Sequence, residues 1–213
     1  MERIKAILAG EAPARWLFYG DSITHGAKHT LGMRDFSELF RERVLWEMRR
    51  QSDLVLNSAY SGFTCEALLR DFDWRAKAFA PTVSLVMIGT NDSTRVTPDV
   101  FRRQLCELVE KFDAIHTLTV LQTPLPVLLN LDAKRSSVPE LAQVVRDVAL
   151  EYRLPLIDHF KSWSDDPAKF YLHADALHPN AQGHIKIAHD IFRAFGIFDE
   201  DSWVCKLFAP NAL

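Results

Sequence analysis

The chain has 213 residues, of which 48% are hydrophobic, 25% charged and 11% aromatic. These proportions exclude a disordered chain, and the length supports one sizeable core without staples. Lys plus Arg number 25 against 28 for Asp plus Glu, a formal net charge of -3, which excludes a strongly basic nucleic-acid binder.

Met1 to Gly10 is charged at Glu2, Arg3 and Lys5, and its apolar run, Ala6 to Ala9, is too short for a secretory core. No run approaches the roughly 18 apolar residues that cross a bilayer. The expectation is a cytoplasmic protein with no membrane span and no nucleic-acid partner. Trp16 to Tyr19 reads as a strand ended by Gly20. Asp35 to Arg50 reads as a helix, with Phe36, Leu39, Phe40, Val44 and Met48 on one stripe. Its arginines alternate with Glu42 and Glu47, the pattern of a solvated face with local ion pairs. Asp53 to Ala59 is a second strand, and Glu66 to Phe79 a second helix that stops before Pro81. Thr82 to Ile88 is continuously apolar, as a strand covered on both faces should be. Pro98 to Ile115 is a helix with Thr97 as N-cap. Thr117 to Gln122, Val138 to Tyr152, Pro155 to Ile157 and Asn180 to Phe195 complete the alternation as strand, helix, strand and helix.

Five such β-α units predict an α/β fold with a parallel sheet and right-handed crossovers. No linker or repeat divides the chain, so residues 1–213 are expected to form a single domain. Two segments stand outside the alternation. Thr123 to Ser137 is a Pro- and Leu-rich connection, a surface loop or a wall for substrate. Phe198 to Leu213, with Trp203, Val204, Leu207 and Phe208, is either packed covering or a subunit contact between identical chains. Cys65, Cys106 and Cys205 are sparse and far apart, which suits neither a disulfide framework nor a metal knuckle.

In an open parallel sheet, ligands bind beyond the carboxyl ends of the strands. The residues placed there are Gly20 to Gly26 (GDSITHG), Tyr60 to Phe63 (YSGF), Gly89 to Asp92 (GTND) and Asp175 to Asn180 (DALHPN). They hold the parts for acyl transfer. A serine hydroxyl needs an adjacent base to act as a nucleophile. Ser22 lies in a glycine-flanked turn, His178 can take its proton, and Asp175 stands three residues before His178, where a tight turn brings its carboxylate to the far ring nitrogen. The N–H groups of Ser22 and Gly62 and the amide of Asn91 are candidate oxyanion donors.

These four ordered blocks resemble those of the SGNH (GDSL-type) esterase/lipase superfamily, over Trp16 to about Phe195, leaving 196–213 as a tail. The resemblance implies a flavodoxin-like three-layer α/β/α sandwich with strand order 2-1-3-4-5. It implies Ser22 as nucleophile, Gly62 and Asn91 as oxyanion donors, and Asp175 with His178 as orienter and base. The stretch HPNAQGHIKIAHDIFRAFGI is similar to the end of bacterial members acting on acetylated carbohydrates, acetylxylan esterases among them.

Rival assignments are weaker. His159 follows Asp158, but neighbouring side chains on extended chain point to opposite faces. His25 and His29 are candidate pocket residues, while His116, His184 and His189 suit core or surface. Asp21 and Asp92 read as braces of their turns. His173, Asp175 and His178 as metal ligands would leave the serine unexplained, so neither metal nor cofactor is expected. The expected activity is hydrolysis of short-chain, chiefly acetyl, esters through an acyl-enzyme, on a small-molecule or carbohydrate substrate. A lysophospholipase or thioesterase is the alternative within the class. A flavodoxin-like phosphate or flavin binder is the alternative outside it.

Overall fold

The computed structural model describes residues 1–166 and 169–207. Its sheet has five strands: β1 (Arg15–Gly20), β2 (Leu54–Asn57), β3 (Val83–Met87), β4 (Leu118–Gln122) and β5 (Leu156–Ile157). All pairings are parallel and the order is β2-β1-β3-β4-β5, as expected. The register aligns Gly20 with Met87, Met87 with Gln122, and Gln122 with Ile157. The carboxyl ends of four strands therefore form one row, and the loops that leave them share one edge.

Side chains alternate across each strand. Trp16 and Phe18 face one layer, packed with Phe36, Phe40, Phe192 and Phe195. Leu17 and Tyr19 face the other, packed with Phe72, Phe101, Phe112 and Leu141. The helices sort accordingly. The first layer is built from α1 (Glu2–Ala9), α3 (Phe36–Arg41), α8 (His159–Ser164) and α9 (Ala181–Phe195). The second is built from α4 (Cys65–Arg70), α5 (Phe72–Arg75), α6 (Pro98–Ala114) and α7 (Val138–Glu151). The short α2 (Ser22–His25) sits at the end of β1. Both faces of the sheet are covered, so β3 and β4 are buried at every residue, while the edge strand β2 is only partly so. No helix among the described residues is long and apolar enough to cross a membrane.

Three expectations are corrected. The helix over 35–50 is α3, opened by an Asp35–Glu38 capping box, followed by a π-helical stretch, Glu42–Glu47. Its arginines are a solvated face only in part: Arg41 and Arg49 are exposed, whereas Arg43 and Arg50 turn inward. Arg43 is buried and donates to the Ile197 carbonyl at 2.9 Å and to Glu47 at 3.2 Å. Arg50 grips the buried Asp53 and the carbonyls of Leu8, Gly10 and Ala12. The helix over 66–79 breaks at Asp71, whose carboxylate is held by Arg70 at 2.8 Å, into α4, α5 and a 3-10 turn, Lys77–Phe79. In the tail, Val204 and Cys205 join the core of the same chain, whereas Trp203 is 83% exposed. Phe208 lies outside the described residues.

Candidate active site

The turn after β1 is fixed from below. A Cβ on Gly20 would lie 2.3 Å from the Met87 carbonyl, so the close approach of β1 and β3 there requires glycine. Asp21 is buried and caps α2, accepting from the Ile23 N–H at 3.0 Å. That makes Ser22 the first helical residue, with its hydroxyl at the sheet edge. Gly26 ends α2 at φ +71°, where a Cβ would collide with Asp35.

The loop before α9 brings His178. An isolated bridge pairs His173 with Pro179, the Ala174 N–H donates to the His178 carbonyl at 2.8 Å, and Asn180 caps α9 through the Gly183 N–H. Within this closed loop Asp175 Oδ1 accepts the N–H groups of Leu177 and His178, each at 2.8 Å, and Oδ2 lies 2.9 Å from His178 Nδ1. His178 Nε2 lies 2.9 Å from Ser22 Oγ, joining residues 156 positions apart. Burial raises the Asp175 pKa, but the two N–H groups and the His178 ring outweigh it and hold the carboxyl at about 2.

Gly62 is tied to the same edge. The Tyr60 N–H donates to the Gly20 carbonyl at 3.1 Å, and the Phe63 N–H closes the turn on the Tyr60 carbonyl at 3.2 Å. Gly62 itself has φ +84° and open space where a side chain would go. Asn91 Nδ2 donates to the Phe63 carbonyl at 2.9 Å, so the Asn91 amide is braced against the Gly62 turn with one N–H left over. Among the described residues, the N–H groups of Ser22 and Gly62 are not spent on backbone partners. Asp92 is fully buried, and its Oδ1 accepts the Cys65 N–H at 2.9 Å. Burial pushes Asp21 to about 7 and Asp92 to about 6.

A profile of the GDSL-like lipase/acylhydrolase family matches residues 18–185, a span that holds all four blocks. The chain belongs to that family. LAE5, an α/β hydrolase from the metagenome of Lake Arreo, Spain, superposes with a TM-score of 0.75 at 23% identity, over 88% of this chain and 97% of that one. The acetyl xylan esterase AlAXEase gives 0.74 at 19% identity, over 84% and 98%. The lipase/acylhydrolase from Enterococcus faecalis gives 0.73 at 21% identity, over 93% and 100%. An uncharacterized protein of Mycoplasma pneumoniae is 30% identical over 113 residues, which are 52% of this chain and 13% of that much longer protein.

In this GDSL-like hydrolase the other histidines divide as follows. His159 is wholly buried between Asp190 (3.2 Å) and Gln122 (3.0 Å). Its acidic partner comes from α9, not from Asp158, which is held by Arg146. No local sequence signal links positions 31 apart. His184 is buried against Phe36, and desolvation lowers its pKa to about 3, while His189 meets the Val204 carbonyl at 3.0 Å. His25 bonds Ser61 Oγ at 2.9 Å and stacks on Tyr60, beside the Gly62 turn. His29 stacks on His178.

His173 packs edge-on against Trp163, and burial lowers its pKa to about 4. Among the described residues, the trio whose ligand atoms lie within 4.8 Å of one another is instead His29, Asp175 and His178. The planes of its two rings are 5° apart with centroids at 3.8 Å, so their in-plane lone pairs cannot both aim at one ion as they stand. The GDSL-like site therefore offers acid-base groups more readily than a metal cage.

The 123–137 connection runs along the same edge. The Leu128 N–H donates to the Ala176 carbonyl at 2.9 Å, Arg135 to the Thr90 carbonyl, and Ser137 Oγ to the Ser93 carbonyl at 2.8 Å. It thus borders two of the four blocks. Behind it lies a cavity of about 210 Å³ whose walls include Val127, Leu128, Leu129, Phe160 and His173. A larger cavity of about 590 Å³, lined by Met1, His116, Leu118 and Pro155 among others, lies at the opposite ends of the strands and shares no residue with the site.

Proposed function

We propose that this hydrolase is a serine esterase that removes short acyl groups through an acyl-enzyme. The observation that carries the reading is the chain from Ser22 Oγ to His178 Nε2 (2.9 Å) and from His178 Nδ1 to Asp175 Oδ2 (2.9 Å). His178 takes the Ser22 proton as the oxygen attacks the ester carbonyl. The ionised Asp175 keeps the Nδ1 proton in place and balances the imidazolium. The negative charge on the carbonyl oxygen is met by the Ser22 and Gly62 N–H groups and the Asn91 amide. His178 then returns its proton to the leaving alcohol, and a water activated the same way releases the acid.

Acetyl esters of carbohydrates are the preferred substrates in this reading. Their support is the likeness of the fold to acetylxylan esterases, among them one from Geobacillus stearothermophilus whose described catalytic mutant replaces a serine with alanine. A phosphate- or flavin-binding role for the Gly20–Gly26 turn would leave the Ser22–His178 contact without a purpose.

The test is a panel of nitrophenyl esters of rising chain length, then acetylated sugars, together with labelling by a fluorophosphonate. Wild-type protein should hydrolyse the acetyl ester and label at Ser22, with rates falling steeply beyond two carbons. A preference for eight or more carbons would replace the deacetylase with a lysophospholipase- or thioesterase-type enzyme. Folded protein that neither hydrolyses nor labels would end the serine-esterase reading.

A further inference from the structure

The rings of His29 and His178 lie face to face, with centroids 3.8 Å apart and planes 5° from parallel. The next tightest ring pair among the described residues, Phe72 with Phe112, is at 4.9 Å and edge-on. His29 Nε2 also lies 3.4 Å from Asp175 Oδ2, the oxygen that His178 Nδ1 meets at 2.9 Å. One carboxylate oxygen thus faces two stacked imidazoles.

The loop after α2 turns His29 inward. Its N–H donates to the Ala27 carbonyl at 2.9 Å, the Leu31 N–H to the Lys28 carbonyl at 3.1 Å, and Thr30 Oγ1 to the Gly26 carbonyl at 3.3 Å. Lys28 and Leu31 take φ of +72° and +54°, a conformation that costs non-glycine residues free energy. Leu31 is left 91% exposed, while the His29 side chain is 19% exposed. The loop thus exposes a leucine and turns a histidine in against His178.

Resting on the reading of Ser22, His178 and Asp175 as the catalytic chain, we infer that His29 is a positioning residue. Its neutral ring face fixes the plane of His178 and accommodates the positive charge His178 takes on with the Ser22 proton. A cation over an aromatic face is attracted by the ring's π electrons. Two protonated imidazoles at 3.8 Å would repel, so the arrangement works only with His29 neutral. The titratable and charged groups around the pair are Asp175, Lys28, His173 and His184. Burial first, and then His178, hold His29 below the ordinary histidine pKa, against the pull of Asp175.

The experiment compares wild type with His29→Ala and His29→Phe in the full chain, with nitrophenyl acetate as probe and Ser22→Ala as reference. Phenylalanine keeps a ring face and removes both nitrogens, so the two variants equally lack the Asp175 contact. His29→Ala should lower kcat about tenfold with KM within twofold, and His29→Phe should recover to within about threefold of wild type. The acid limb of kcat/KM should lie at lower pH in His29→Ala than in His29→Phe, because only the latter offers the imidazolium a ring face. Matching kcat in His29→Ala and wild type, or coincident acid limbs in the two variants, would overturn the assignment. Ser22→Ala separates the failures: if it abolishes turnover while the His29 variants are silent, the catalytic reading stands and the positioning role falls. If Ser22→Ala stays active, both fall.

Discussion

Asp175 holds His178 at two points: Oδ1 accepts its main-chain N–H at 2.8 Å, and Oδ2 lies 2.9 Å from its ring Nδ1. The main-chain bond shapes the loop, and the ring bond sets the tautomer. Asp175→Asn separates the two. An asparagine oxygen can still accept the N–H groups of Leu177 and His178, but its NH₂ turned to Nδ1 forces the ring proton onto Nε2. His178 then cannot take a proton from Ser22. The expected result is a folded protein with kcat reduced about 10³–10⁴-fold. Steady-state kinetics alongside thermal unfolding checks it, and a loss below tenfold would remove Asp175 from the proposed chain.

Asp21 and Asp92 predict a stability effect of definite sign. Burial raises their folded pKa values to about 7 and about 6, with Asp92 adding to the rise at Asp21, against about 3.9 in the unfolded chain. From about pH 4 to 7 the folded state keeps protons that the unfolded state has released. These two groups therefore favour folding below about pH 4, and that contribution is lost as pH rises through their folded pKa values. Asp21→Asn and Asp92→Asn keep the acceptors for the Ile23 and Cys65 N–H groups and cannot ionise. Relative to wild type, each should gain Tm between pH 5 and pH 8. Equal Tm differences at the two pH values would show that the acids are ionised in the fold.

The sheet was legible in the sequence because fully buried parallel strands are continuous apolar runs, as Thr82 to Ile88 is. The Ser22–His178–Asp175 contacts could be anticipated because Ser22 opens the helix that follows β1, and because the three-residue spacing of Asp175 and His178 closes into one turn of the loop before α9. What could not be read depends on distant partners. Arg43 looked solvated because the Ile197 carbonyl that receives it is 154 residues away. The break at Asp71 was invisible to periodicity, since α4 and α5 continue the same apolar stripe on either side. The stack of His29 on His178 joins an irregular loop to another, and no pattern marks it.

Asn91 is braced on the Phe63 carbonyl, and this defines what its removal should do. Asn91→Ala removes the remaining amide donor and frees the Gly62 turn at once. Loss of an oxyanion donor lowers kcat about 10²–10³-fold with little change in KM. Ser22 and His178 keep their contact in this variant, so fluorophosphonate labelling of Ser22 should persist at a reduced rate. A variant with normal kcat would place the oxyanion elsewhere. An unlabelled but folded one would mean that Asn91 supports the nucleophile itself.

The two glycines of the site should fail differently when enlarged. Gly20→Ala drives a Cβ to within 2.3 Å of the Met87 carbonyl, a backbone atom that cannot move without parting β1 from β3. The expected outcome is loss of soluble, folded protein. Gly62→Ala meets no atom, and its only penalty is a side chain at φ +84° in an exposed turn, about 1–2 kcal/mol. It should fold with a slightly lower Tm. If the Gly62 N–H faces the oxyanion, the strained turn re-aims it, and kcat should fall about tenfold or more while KM holds. Circular dichroism and kinetics on both variants decide the matter. A Gly62→Ala enzyme with wild-type kcat would leave the oxyanion to Ser22 and Asn91.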